Sequence, residues 1–211
     1  MSEHYPLPPF RIRQRAALLR IIETYPLATL ISGIDGANDI SLVPLLAGEG
    51  PEGTMTLTGH VDRNNPQASK LVPGENVAFV FNGPDSYASP DIYDDAQLPG
   101  WLYVMVRGTG TIRRTIEGAD AIDMLCEASA RFGGVGQSFS LRNDDPRFGQ
   151  FIGGISGFEI EVSEINGIAK LAQDKGPLHA KRASRFLADE IGKGVPAFLE
   201  QMLEGSAQAE N

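Results

Sequence analysis

TLTGHVDRNNPQ (residues 56–67), FVFNGPDSYASPDIY (79–93) and LPGWLYV (98–104) follow one another with little filler, and their reading decides the fold. The first runs from a β-rich stretch, TMTLT, through Gly59 and His60 to Arg63, Asn64, Asn65, Pro66 and Gln67, where a helix start is expected. A strand that leads through a glycine turn into a helix start aims backbone N–H groups and the positive helix end at an anion, and the Arg63 guanidinium adds a charged fork. The same residues also suit a plain polar turn capped by Asn64, because Asn and Asp cap helices for local reasons. In the second and third pieces Tyr87, Tyr93, Trp101 and Tyr103 flank two Pro-rich loops. They suit either the walls of a flat-ring site or ordinary packing.

Outward from this stretch, LATLISG (27–33), DISLVPLL (39–46), GTMTLTG (53–59) and ENVAFVFNG (75–83) are short β-rich runs bounded by Gly, Pro, Asn and Asp. Their spacing is that of an antiparallel meander. Pro44 predicts an edge, a bulge or a ligand-facing position. WLYVMVRGTGTIRR (101–114) reads as a longer strand in which Gly108 and Gly110 allow a bend or close backbone approach. GFEIEVSEI (157–165) alternates apolar and acidic residues over Phe158 to Val162, which predicts a strand with one wet face. Helical spacing appears over 11–24, with Ile12, Ala16, Leu19 and Ile22 apolar, and again over 117–131, with Ala119, Ile122, Leu125, Cys126 and Ser129 on one side. Phe132 to Gly154 reads as loop with a short helical turn, KLAQDKGP (170–177) as irregular, and 178–191 and 195–203 as helices. About six strands with helices at both ends and no βαβ alternation predict a mainly β, α+β fold, a small β-barrel decorated by helices. One domain over 1–211 is expected, with its core at about 25–165, a helical segment at 11–24 and a helical extension at 175–204.

The 211 residues suffice for a core without disulfides or metals, and Cys126 is the single cysteine. No export signal or run of eighteen apolar residues stands out, so a cytoplasmic protein with no membrane span is expected. Eighteen Lys and Arg against 27 Asp and Glu give a net charge of -9, which repels a polyanion and makes direct nucleic-acid binding doubtful. Residues 11–20 (four arginines, no acid) and 169–193 (six Lys and Arg, three acids) are local exceptions that suit phosphate contact or a solvated helix face. The three histidines, His4, His60 and His179, lack metal-ligand spacing, so no metal site is expected. No GxSxG elbow, GxGxxG or Walker loop is present. Asp91, Asp94 and Asp95 suit a hard cation or an exposed acidic loop, and Lys170 follows a strand where a lysine can reach back to a phosphate or a ring carbonyl.

Through ATLIS, LVPLL, TGHVDRNNPQ, FNGPDSYASPDIY, LPGWLYV, GISGFEIEV and KLAQ, from about Tyr25 to Gln173, the chain resembles the PaiB-like family. Those proteins are described as FMN-binding negative transcriptional regulators, split β-barrels related to the pyridoxamine phosphate oxidases. The resemblance implies a homodimer with FMN at the subunit interface. It assigns Thr58, His60, Arg63, Asn65 and Gln67, with Gly59 and Asn64 of the same turn, to the phosphate and ribityl end. Ser41, Val43, Pro44 and Leu45 would face the ring, and Trp101, Tyr103 and Lys170 would close the site from either subunit. The chain departs from the family pattern at Val43, Asp85 and Leu102 and near Met105, and a lost donor near the ring would alter flavin potential or selectivity. The implied function is flavin-dependent redox chemistry, with no catalytic residue assigned, or flavin- or metabolite-linked regulation. The alternatives are a negative transcriptional regulator acting on DNA or through a partner, and a flavin-free binding module.

Overall fold

Eight strands, four α-helices and several short 3-10 turns form the residues described in this computed structural model, 5–33, 39–133 and 139–193. They group into two compact units, one of 12–33, 39–83, 105–133 and 139–167, the other of 5–11, 84–104 and 168–193. Three strands, β6 (Asn76–Ala88), β7 (Gly100–Ile116) and β8 (Ile155–Lys170), begin in one unit and end in the other.

In the larger unit β2 (Leu27–Ser32), β3 (Asp39–Pro44), β4 (Leu46–Glu49) and β5 (Met55–Asp62) join them in the order β3-β2-β6-β7-β8-β5-β4, and β1 (Arg11–Ile12) pairs with β8. The pairs β2–β3, β2–β6, β4–β5 and β5–β8 are all antiparallel. The two ends of this order, β3 and β4, are consecutive in the chain, and Leu45 alone joins them. A sheet whose ends are tied by one residue must curl onto itself. The tightness of that closure shows at Gly59 on β5, where an added methyl would lie 2.6 Å from Leu45 Cδ2 and 2.9 Å from the Pro44 carbonyl oxygen. The fold is the expected α+β barrel type, with eight strands rather than six.

Strand alternation fills the barrel. Ala28 and Leu30 of β2, Val77, Phe79 and Phe81 of β6, and Phe158 and Ile160 of β8 point inward and are fully buried. Each such large side chain contributes on the order of 1.5–3 kcal/mol by leaving water. Helix α1 (Arg15–Thr24) adds Leu18 and Ile22, one turn apart, to the same core. It begins four residues later than its sequence pattern suggests, because Arg11 and Ile12 are taken up by β1. Gly108 and Gly110 are close-approach positions as expected: a side chain at Gly108 would meet the Glu164 carbonyl and the Phe79 ring, and one at Gly110 the Glu161 carbonyl.

Three readings need correction. FNGPDSYA is not a loop; β6 continues through Pro84 to Ala88, and only the turn at Pro90–Ile92 departs from it. The strand GFEIEV does not keep one wet face: Glu159 is buried, held by Arg113 at 2.5 Å and Arg114 at 3.5 Å. Helix α2 (Gly118–Phe132) buries Ala121 and Met124 rather than the face carrying Ala119 and Ile122, and Cys126 is only partly covered. A short helix, α3 (Phe148–Phe151), supplies the helical turn expected before β8. The helix read at 195–203 lies outside the described residues.

The smaller unit has its own core, Ala88, Leu102, Ala172, Ala183 and Leu187, the last two one turn apart on α4 (Pro177–Glu190). Asp95 meets His179 of this helix at 2.8 Å and Asp94 pairs with its Arg182, so these acids have protein partners rather than a cation site.

Candidate functional site

The stretch TLTGHVDRNNPQ folds differently from a glycine turn leading into a helix. Gly59 lies in the interior of β5, and its missing side chain serves the barrel closure. The turn comes at Arg63 and Asn64, and only a five-residue 3-10 turn, Pro66–Lys70, follows. Its cap is Asn65, not Asn64: Asn65 Oδ1 accepts the Gln67 backbone N–H at 2.9 Å. The other end of that side chain donates to Ser41 Oγ at 2.9 Å, which fixes the turn beside the middle of β3. Gln67 is fully buried and donates through Nε2 to the carbonyls of Leu30 and Asp39, both at 3.1 Å. The amides of Asn65 and Gln67 therefore hold the turn to β2 and β3.

Arg63 faces solvent. Its backbone N–H donates to Gly154 O at 2.8 Å, just past the β5–β8 ladder, and its Nη2 donates to Ile155 O at 3.0 Å, which orients the guanidinium. Among the described residues no carboxylate pairs with it, so its remaining N–H groups are available to an anion, next to the exposed Asn64 side chain. His60 is half-buried, and burial pushes its pKa below 6.5. It is thus neutral near pH 7 and contributes one donor and one acceptor but no charge. An NMR titration of the His60 ring is expected to show a midpoint below 6.5. Because the unfolded chain takes up this proton first, stability tied to His60 is intact above pH 6.5 and declines as pH falls below it.

The remaining predicted residues divide. Val43 and Leu45 are buried in the barrel core, while Pro44 is exposed at the end of the edge strand β3, as its sequence position suggests. The outer face of β3 carries Ile40 at 65% and Leu42 at 66% exposure, aligned with Ile31 and Thr29 of β2, and Leu27 opposite Pro44 is 51% exposed. These are large apolar side chains with nothing over them among the described residues. Thr58 lies elsewhere, lining a cavity of about 370 Å³ with Glu49, Asp120, Asp123, Glu127 and Glu159 against the single cation Arg114, an acidic setting that disfavours phosphate. Arg63 and Asn64 share an exposed turn, which the Asn65–Ser41 bond ties to β3.

Trp101, Tyr103 and Lys170 belong to the smaller unit. Trp101 and Lys170 line one cavity of about 200 Å³, while Tyr103 meets the Tyr5 hydroxyl at 3.5 Å. Trp101 donates its indole N–H to Asp85 Oδ1 at 2.8 Å and packs edge-on against Tyr87. Asp85 thus has a defined partner, and Val43 and Leu102 are core residues of their respective units. Lys175 and Tyr93 share the cavity with Trp101, Lys175 arriving through the 3-10 turn Gln173–Lys175 after β8.

Three comparisons bear on this arrangement. A protein-family model described as "Putative FMN-binding domain" matches residues 4–164. The protease synthase and sporulation protein PAI 2 of Bacillus subtilis is 26% identical over 157 residues, 69% of this chain and 71% of that protein. Among solved structures, an FAD and heme binding protein from Mycobacterium smegmatis matches with a TM-score of 0.55 at 18% identity, over 76% of this chain and 73% of that one. A flavocytochrome from Azotobacter vinelandii matches with a TM-score of 0.55 at 12% identity, over 76% and 69%. At these identities the structural matches establish the split-barrel fold.

Proposed function

The chain belongs to this FMN-binding domain family, and from that premise we propose that it holds FMN at a homodimer interface and uses it in redox chemistry or in flavin-linked regulation. The observation that carries the reading is Arg63, a guanidinium oriented by the Ile155 carbonyl, unpaired with any carboxylate among the described residues and facing solvent. It suits the dianionic phosphate, with Asn64 and Ser41 as further donors. The bond from Asn65 to Ser41 keeps that anchor beside β3, whose apolar outer residues Ile40 and Leu42 suit the ring, a second copy of the chain, or both. Bound FMN would supply hydride or one-electron transfer, and the chain's part is to anchor, orient and shield it.

Arg63→Ala is expected to weaken FMN binding about ten- to hundredfold, since a charge-assisted hydrogen bond contributes roughly 1.5–3 kcal/mol. The check is the visible absorption spectrum of purified protein after FMN addition and gel filtration, wild type beside variant. A wild-type protein that retains no flavin sinks the cofactor reading. Equal retention by both removes Arg63 from the phosphate.

A regulatory reading draws on the name of the Bacillus subtilis relative, which links that protein to protease synthesis and sporulation. With a net charge of -9, regulation through a metabolite or protein partner fits better than contact with DNA. A salt-dependent gel shift at low ionic strength would reverse that preference.

A further inference from the structure

We propose that the cavity of the smaller unit, lined by Trp101, Tyr93, Lys170 and Lys175, is a binding site for a small planar carboxylate, separate from the flavin site. The two lysines reach the same cavity because the chain reverses sharply between them. Ala172, buried at 5% exposure, holds a left-handed conformation, φ 59° and ψ 27°, that residues with a side chain rarely adopt. Gln173 clamps the reversal: its Oε1 accepts the Leu171 N–H at 2.7 Å and its Nε2 donates to Ala169 O at 2.6 Å. Local strain held in place by two side-chain bonds is a feature that binding sites use for preorganisation. Here it brings Lys170, the last residue of β8, and Lys175, the last of the 3-10 turn Gln173–Lys175, onto one cavity.

The chemistry follows from the lining. Lys170 has no ion-pair partner among the described residues, although it is half-buried. The Lys175 ammonium lies 5.1 Å from the centre of the Tyr93 ring. Against these two cations stands one carboxylate, Asp174, so the cavity is locally positive in a chain of net charge -9. Trp101 and Tyr93 supply flat walls, which favour a planar body carrying the negative charge. At about 200 Å³ the space is below the roughly 300–1,000 Å³ of pockets that enclose drug-sized ligands, which suits one small ring with an acid group better than a tricyclic flavin.

Trp101 is the only tryptophan in the chain, so its emission reads this cavity directly. Benzoate titrated into the full-length protein, with and without saturating FMN, is expected to change that emission saturably. Benzamide, the same ring without the charge, should bind at least about tenfold more weakly. Lys170→Gln should weaken benzoate about tenfold and Lys170→Arg should restore it, as expected for a charge-assisted contact. An equal response to benzoate and benzamide, or unaltered benzoate affinity in Lys170→Gln, overturns the proposal. Competition between FMN and benzoate also overturns it, by returning Trp101 and Lys170 to the flavin site. Because FMN retention is read from visible absorption, failure here is distinguishable from failure of the cofactor reading.

Discussion

Gln67→Ala is expected to lower the stability of the fold by about 2–4 kcal/mol. The Gln67 side chain is fully buried, and its Nε2 is the donor to both Leu30 O and Asp39 O. Truncation leaves those two carbonyls without that donor and opens a void, and each buried polar group left unpaired costs about 1–3 kcal/mol. Gln67 Oε1, at the other end of the amide, has no partner among the described residues. Gln67→Leu, which fills the volume but donates nothing, should recover only the packing share. Urea denaturation of wild type and both variants measures these differences as shifts in midpoint at constant slope. A direct ligand role predicts the reverse pattern, unchanged stability with impaired FMN retention.

The second large effect is expected at Gly59. A Cβ there would lie 2.9 Å from the Pro44 carbonyl oxygen, 2.6 Å from Leu45 Cδ2 and 3.3 Å from Val43 Cγ1. The Leu45 methyl can swing aside, but the Pro44 carbonyl is backbone at the point where the chain passes from one end of the sheet to the other. Gly59→Ala should therefore cost about 1–2 kcal/mol, and Gly59→Val, whose branches enter the same gap, about 3 kcal/mol. Thermal unfolding checks the order, which is wild type, then Ala, then Val. A valine variant as stable as wild type would show that the barrel closure is loose.

Both residues belong to the stretch that suggested an anion site, and both turn out to serve the barrel. The strand was legible as far as TMTLT, whose apolar alternation is regular, but Gly59 reads as a turn that comes only at Arg63 and Asn64, because a glycine inside a strand looks the same in sequence as one that ends it. The inward burial of Gln67 was not legible, because a polar side chain after a turn reads as solvent-facing, and only β2 and β3, distant in sequence, supply the carbonyls that draw it in. The extension of β6 through Pro84 was hidden because proline lacks the N–H of a ladder and marks turns more often than strands. The burial of Glu159 depends on Arg113 and Arg114, some forty-five residues earlier, which local alternation cannot show. Arg63, in contrast, faces solvent just past the end of β5, which local geometry alone accounts for.

The pairing of β5 with β8 sets a schedule for synthesis. The β2–β3 and β4–β5 pairs need only neighbouring residues, but β5 ends at Asp62 and its other partner begins at Ile155. At ribosomal rates of about 5–20 residues per second, the free edge of β5 waits roughly 5–20 s for its neighbour. During that interval Leu57, Gly59 and Val61 form half of an unfinished wall. The nascent chain is then most exposed to chaperones, or to mispairing with another copy, just before the barrel can close.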